Sequence, residues 1–348
     1  MQLKMVAMRR YYVTLSSIAT PAAAAFLPSR QGDLNQQKLF GGLSSKVSTP
    51  FLSATVGVTS RIRGGTESIR GNLNQPLRMI GSILDLLGGG GKGELIDPEK
   101  ALPGRQQKMP NISGLKHYVL GNDLEEVPEG YKVAIFANGC FWGSEKGIWR
   151  LPFGIHSTAV GYCAGFTPNP SYEEACSGLT GHTEGVRVVY DPSKISFVDI
   201  LRWFWEAHDP CSGMGQGNDR GTQYRSGFYY FDDDQKRLIE ASKTAYEQQL
   251  GRTITTEIAD ASDYEKYGGI WFFAEPYHQQ YLSKPGSRPY CSAQPQGVSL
   301  ADFNTWAPDN LKEEYSPKLP ESFWKKHGPK RGCSVVQEPN EPISVDSY

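Results

Sequence analysis

The chain has 348 residues, room for two domains or for one domain with long terminal segments. Its 38 Gly and 23 Pro give many turns but rule out a collagen-like or wholly disordered chain, and six cysteines are too sparse for a disulfide scaffold. The net charge of −1 argues against a nucleic-acid-binding surface, and no stretch reaches the ~20 uninterrupted apolar residues of a membrane helix.

The charge is unevenly spread. Residues 1–72 hold nine Lys/Arg against Asp33 and Glu67, a net of +7, and the remainder carries −8. Lys4, Arg9 and Arg10 form a positive start, followed by a weakly apolar stretch from Val13 to Phe26. The small residues Ala22–Ala25 before Phe26 suit a cleavage site. Such a basic, acid-poor leader, rich in Ser and Thr after Phe26, resembles the two-part presequence of algae with complex plastids. The expected address of 1–72 is therefore a plastid transit segment, with the mitochondrion as the alternative.

Residues 73–130 read as a linker. Leu77, Ile80, Ile83, Leu84 and Leu87 have helical spacing within Pro76–Leu87, and Gly88–Gly91 ends that helix. The rest of the linker is expected to be weakly ordered or packed on the domain surface. The dense part is 131–300. Strands are predicted over Tyr131–Ala137, Val186–Tyr190, Phe228–Phe231 and Ile254–Ile258. Helices are predicted over Phe197–Ala207, capped by Ser196, and over Asp232–Leu250, whose leading aspartates suit a helix N-terminus and which stops at Gly251. The expected fold is α+β: an α/β sandwich with a ferredoxin-like core, plus extended N- and C-terminal segments. Residues 301–348, with six Pro and no clear periodicity, are expected to form an extended tail.

The cysteines are Cys140, Cys163, Cys176, Cys211, Cys291 and Cys333, with no CxxC among them, which argues against a zinc ribbon or a thioredoxin-type dithiol. Cys140 is set apart by its neighbours. Asn138-Gly139-Cys140-Phe141-Trp142-Gly143-Ser144-Glu145 follows the first predicted strand. Strand, glycine turn and helix put Cys140 at a helix N-terminus, where free amides and the dipole lower a thiol pKa and favour the nucleophilic thiolate. Phe141 and Trp142 would wall an apolar pocket suited to an uncharged, methyl-bearing substrate. On residues alone, a reactive thiol and an inert cysteine in an aromatic core both fit.

Gly-Cys-Phe-Trp-Gly is similar to the signature of the A-type peptide-methionine sulfoxide reductases. The similarity continues in family order through Gly161-Tyr162, Asn169-Pro170-Ser171-Tyr172, Cys176-Ser177-Gly178, Thr180-Gly181-His182-Thr183-Glu184 and Tyr190-Asp191-Pro192. It extends through His208-Asp209-Pro210, Gln216-Gly217-Asn218-Asp219, Gly221-Thr222-Gln223-Tyr224-Arg225-Ser226 and His278-Gln279-Gln280-Tyr281-Leu282. It covers about 131–295.

The resemblance implies reduction of methionine S-sulfoxide, free and in peptides and proteins, as a repair of oxidative damage. It implies no metal or organic cofactor, thioredoxin as external reductant, and a monomer with no nucleic-acid or membrane partner. Cys140 would attack the oxidised sulfur, Glu184 would act as general acid, and Tyr172 and Tyr224 would aim hydroxyls at the sulfoxide oxygen. Asp219 would order the polar end of the substrate, with Phe141 and Trp142 around its methyl group. Cys291, in a loop-like segment, would resolve the Cys140 sulfenic acid as a disulfide. The resemblance gives Cys176 a buried position and Cys163 and Cys211 packing roles. Because no second cysteine follows Cys291 within a few residues, Cys333 is expected to be a solvent-facing tail thiol, with a role as a late disulfide partner as the alternative. His182, and His278 on a last helix, are expected to make structural hydrogen bonds.

Two other readings are compatible with a reactive Cys140. One is a cysteine hydrolase, which lacks a persuasive His partner. The other is a non-catalytic module or thiol sensor, against which stands the presence of nucleophile, acid and oxygen-binding positions together.

Overall fold

The computed structural model describes residues 93–348. The presequence and the Pro76–Leu87 helix lie outside the described residues. Strand β1 (Lys132–Asn138) runs between two neighbours, and its side chains alternate between two apolar clusters. It leads into helix α1 (Phe141–Trp149), followed by β2 (Ile155–Cys163), α2 (Tyr172–Cys176), β3 (Thr183–Tyr190) and α3 (Phe197–Glu206). A two-residue-per-strand hairpin, β4 (Gly215–Gln216) and β5 (Asp219–Arg220), precedes β6 (Ser226–Tyr230), α4 (Asp233–Leu250), β7 (Glu257–Asp260) and β8 (Trp271–Phe273). Two short helices, α5 (Phe303–Trp306) and α6 (Glu321–His327), lie in the C-terminal segment.

The six-stranded sheet has the order β7-β6-β1-β3-β2-β8. Its pairs are antiparallel except β6 with β7, so the sheet is mixed and the fold is α+β. Ala134 and Phe136 of β1 meet Val186 and Val188 of β3 and the apolar residues of α1, α3 and α4. Ile135 and Ala137 point the other way, to Cys163, Tyr229, Tyr264 and Ile270. The helices thus cover one face, and the turn Ala261–Tyr267 covers part of the other.

The predicted caps are present. Ser196 and Asp199 form a reciprocal capping box on α3, and Asp232 accepts from Gln235 N–H at the start of α4. Gly251 ends α4 in the left-handed conformation that its missing Cβ permits. The strand expected at Ile254 begins only at Glu257. The Ile254 amide donates to Glu247 and the Thr255 amide to the Pro210 carbonyl, so neither joins the sheet.

The segment before the sheet is packed on the domain, one of the two expectations for the linker, whereas the C-terminal segment departs from an extended tail. Residues 93–130 lie on the domain: Ile112, His117 and Leu124 are buried, and the Leu102 and Arg105 amides donate to the Leu179 and Pro168 carbonyls. Residues 301–348 form a strap instead of a free tail. The reason is α3, which is buried nearly all round: the stripe of Asp199, Arg202 and Glu206 on it is polar, and this segment, with the Leu300 amide just before it, supplies its partners. Leu319, Phe323 and Trp324 cover the helix, each such burial stabilising by roughly 1.5–3 kcal/mol. Asp199 accepts from the Lys318 and Leu319 amides, and Arg202 pairs with Glu321 while lying over the Trp324 ring. Farther along, Trp149 Nε1 donates to the Asn340 carbonyl and the Ile343 amide to that of Arg150.

Candidate active site

Cys140 occupies the N-cap of α1, with only 7% of its surface exposed, where β1 delivers the chain to the edge of the core. Gly139 makes the turn possible. It has φ +94°, and a Cβ there would meet the Gln216 side chain at 2.7 Å. The Trp142 and Gly143 amides face the sulfur and favour its anion, as expected of a helix N-terminus, although the thiol makes no cap hydrogen bond. The expected lowering of the thiol pKa does not follow. Burial pushes it well up, the Glu184 and Asp219 carboxyls add to this, and the two amides offset only part.

Glu184 is the second residue of β3, opposite Tyr162 of β2, and is 4% exposed. Its Oε2 accepts the Phe141 N–H at 3.0 Å. Burial, helped by Asp219, raises its pKa to about 8 against the pull of that amide. It is a mostly protonated acid at neutral pH. Tyr172 opens α2 and Tyr224 ends the turn Thr222–Tyr224. Both phenols are pushed up by burial and also face the Glu184 carboxyl, so they remain neutral donors. Cys176 is half-buried rather than buried, and burial and the Glu184 carboxyl push its thiol pKa up.

The apolar wall is built by contacts from distant segments. Trp142 stacks on Tyr281 at 3.9 Å and 18°, and its Nε1 donates to His278 Nδ1 at 3.2 Å. Phe141 packs on Tyr162 and His278. This segment is pinned by Glu145 of α1, fully buried, which accepts from the Gln280 amide at 2.8 Å, Gln280 Nε2 at 2.6 Å and Thr158 Oγ1 at 3.0 Å. Burial raises the Glu145 pKa to about 7. His278 lies in a turn and not on a helix: its amide closes a turn on the Glu275 carbonyl, and the Gln280 amide goes to Glu145. His182 makes no ring hydrogen bond. It is buried against Gly165 and the edge of Phe272, and burial drives its pKa down to about 3, keeping it neutral.

Asp219, on β5, accepts a 2.5 Å hydrogen bond from the Tyr290 hydroxyl, and the Tyr290 ring meets Trp142 edge-on. Tyr290 immediately precedes Cys291. The same loop is fixed by Gln216, whose Oε1 accepts from the Gln294 and Asp209 amides. Cys291 is bonded to Cys333, while Cys140, Cys163, Cys176 and Cys211 are free thiols. The expectation of Cys333 as a free, solvent-facing thiol is therefore corrected: the strap over α3 turns back and carries it to Cys291. Cys291 Sγ lies against the first turn of α1, where a Cβ on Gly143 would come within 2.7 Å of it. Only glycine at 143 leaves room for that sulfur.

The structure thus gathers Cys140, Phe141, Trp142, Tyr172, Glu184, Asp219 and Tyr224 in one cluster, with Cys291 against the first turn of α1 beside it. Sequence reasoning missed Glu145, Gln216 and Tyr290 as builders of the site, though Glu145 and Gln216 stand within the motif blocks; the structural hydrogen bond expected of His278 is the one it accepts from Trp142. Among the described residues no cluster of His, Cys, Asp or Glu is arranged to hold a metal ion.

Comparison with known proteins places the chain in a family. The peptide methionine sulfoxide reductase family model matches residues 132–307. Peptide methionine sulfoxide reductase MsrA 2 of Nostoc sp. is 53% identical over 204 residues, covering 57% of this chain and 87% of that protein. The MsrA of Azorhizobium caulinodans is 53% identical over 212 residues, 59% of this chain and 92% of its own. The solved methionine sulfoxide reductase A of Corynebacterium diphtheriae is 36% identical, with a TM-score of 0.51, and covers 60% of this chain and all (100%) of its own. The chain accordingly belongs to the peptide methionine sulfoxide reductase family, oxidoreductases that return methionine sulfoxide to methionine.

Proposed function

We propose that Cys140 carries the reduction of methionine S-sulfoxide, free and in proteins, as a repair of oxidative damage, and that Cys291 and then Cys333 carry the oxidising equivalents outward. The observation that carries this reading is the pairing of a buried thiol at a helix N-cap with a buried, protonated carboxyl hydrogen-bonded to the adjacent amide.

Substrate binding puts the methyl group against Phe141 and Trp142 and the oxygen near Tyr172 and Tyr224. In the fraction of sites that has first lost the Glu184 proton to solvent, the Cys140 proton passes to the Glu184 carboxylate, leaving a thiolate that faces the Trp142 and Gly143 amides. As the thiolate attacks the substrate sulfur, Glu184 passes that proton to the sulfoxide oxygen and the phenols share the developing charge. The oxygen ends on Cys140 as sulfenic acid: methionine is reduced by two electrons and Cys140 oxidised by two. The Cys291 thiol condenses with the sulfenic acid, releasing water and forming Cys140–Cys291. The Cys333 thiol displaces Cys140 from Cys291, which gives the disulfide seen in the structure and a free Cys140. Thioredoxin then reduces the Cys291–Cys333 pair. In this tail-oxidised state Tyr290 holds Asp219, the residue assigned to the polar end of the substrate, so recycling must precede the next binding event.

The strand order β6-β1-β3-β2, with α1 after β1 and α3 after β3, supports reading the core as ferredoxin-like. The +7 leader supports import into a plastid of the complex type, with the mitochondrion as the alternative. Residues 1–72 fused to a fluorescent protein should label that organelle, and a diffuse cytosolic signal contradicts the address. A monomeric protein acting without nucleic acid or membrane completes the reading.

The relay is tested by giving reduced enzyme one equivalent of methionine sulfoxide, quenching with acid and mapping disulfides by mass spectrometry. Cys140–Cys291 is expected first and Cys291–Cys333 after it. A disulfide to Cys176 or Cys211, or a lasting Cys140 sulfenic acid, overturns the order.

A further inference from the structure

The strap carries a feature outside the family-matched segment. From 322 to 337 the sequence has Lys325, Lys326, Lys330 and Arg331, one His and no acid, on a body whose net charge is −8 from residue 73 onward. All four cations are exposed, and among the described residues no carboxylate lies within ion-pair distance of any of them. The nearby acids are engaged elsewhere: Glu321 with Arg202, and Glu338 with Arg150. Lys325 and Lys326 suit the C-terminal dipole of α6, but Lys330 and Arg331 lie beyond the helix and have no such reason. Arg331 is fixed near the redox loop by donating from Nε to the Gln296 carbonyl at 3.0 Å. His327 and Lys330 line the same cavity as Cys291 and Cys333. His327 feels the positive field: burial first, then Lys326, Arg150 and Lys330, lower its pKa.

We infer that this basic face is the docking surface for an acidic dithiol protein that delivers electrons to Cys333. The inference rests on the proposed relay, in which Cys291–Cys333 is the species recycled. Geometry chooses the sulfur. Cys291 Sγ lies against α1 at Gly143, whereas Cys333 follows Gly332 on a half-exposed turn beside the cations. The partner thiolate attacks Cys333 Sγ, the S–S bond breaks, and Cys291 leaves as a thiolate and takes a proton. The partner's second thiolate then attacks its own sulfur in the mixed disulfide and releases Cys333. Two electrons pass and the partner ends as a disulfide. The field of four unpaired cations speeds encounter with an acidic partner and leaves an uncharged reductant unaffected.

The test uses the full chain carrying Cys140→Ser, oxidised to the Cys291–Cys333 disulfide, so methionine sulfoxide chemistry does not enter and failure of the Cys140 assignment leaves the result readable. Reduction is followed by stopped flow with an acidic thioredoxin and with dithiothreitol. Reversing Lys325, Lys326, Lys330 and Arg331 to Glu should slow the thioredoxin reaction about tenfold or more at low salt, invert its salt dependence so that added salt speeds it, and lower the dithiothreitol rate far less, since its attacking thiolate carries a single charge. Changing the same four to Gln should give an intermediate loss. A thioredoxin lacking its second cysteine should be trapped on Cys333. An unchanged thioredoxin rate, an equal loss with dithiothreitol, or trapping on Cys291 overturns the inference.

Discussion

The pocket around Cys140 and the rim around Cys333 treat sulfur in opposite ways. At the pocket, burial raises both the thiol and its carboxyl neighbour, so the site holds protons that solvent cannot easily remove. At the rim, the Cys291–Cys333 disulfide is half-exposed, bordered by unpaired cations and held by a strap packed on α3. Oxygen transfer needs a dry site with a carboxylic acid; exchange with a protein reductant needs an accessible sulfur and a charged face. The molecule separates the two tasks and joins them through Cys291, lying against Gly143.

The sharpest way to break this contrast is to remove the proton from the dry site. Glu184→Gln keeps the shape and loses the acid. Sulfenic acid formation in a single turnover should fall by about 10²–10⁴-fold, with substrate still bound. A rate within threefold of wild type removes Glu184 from the acid role.

The pH profile comes next. The reactive form has one proton shared between Cys140 and Glu184: thiolate and carboxylic acid. Below about 8 both groups are protonated, so losing one proton activates the site. The single-turnover rate should rise about tenfold per pH unit up to about 8 and then level off, as thiolate gained above 8 is balanced by acid lost. A rate flat at low pH that falls through 8 contradicts this proton inventory and favours attack by the neutral thiol.

The smallest effect on chemistry is expected from the strap. Phe323→Ala removes a ring buried against α3 and should reduce unfolding stability by about 3–5 kcal/mol in denaturant melts, while the first turnover stays within about twofold. An unchanged melt would show that the strap adds nothing to the core; a lost first turnover would couple it to the pocket.

What was legible in the sequence follows the same division. Strand β1, the N-cap at Cys140, Ser196 before α3 and Asp232 before α4 have local causes, and the chain writes them plainly. The motif residues Glu184, Tyr172, Tyr224 and Asp219 converge because β3, α2 and the β4–β5 hairpin meet at the end of β1. Strand β2, with Ser, Thr and Gly among its residues, has weak local propensity and is held by β3 and β8 on its two sides. The partners of Trp142, namely His278 and Tyr281, depend on Glu145 reaching across 135 residues to Gln280. The Cys291–Cys333 bond spans 42 residues and depends on the strap turning back. The direction of the Cys140 pKa was misjudged because helix-end amides are visible in a sequence pattern, whereas burial and a carboxyl brought from β3 are not.

The central claim is that the sulfur of Cys140 receives the oxygen. Its most direct test is the methionine formed by Cys140→Ser enzyme in the first turnover, with thioredoxin and without, measured beside wild type. None is expected above the buffer background, with the Cys291–Cys333 bond still able to form under an added oxidant. Methionine produced at the wild-type rate would contradict it.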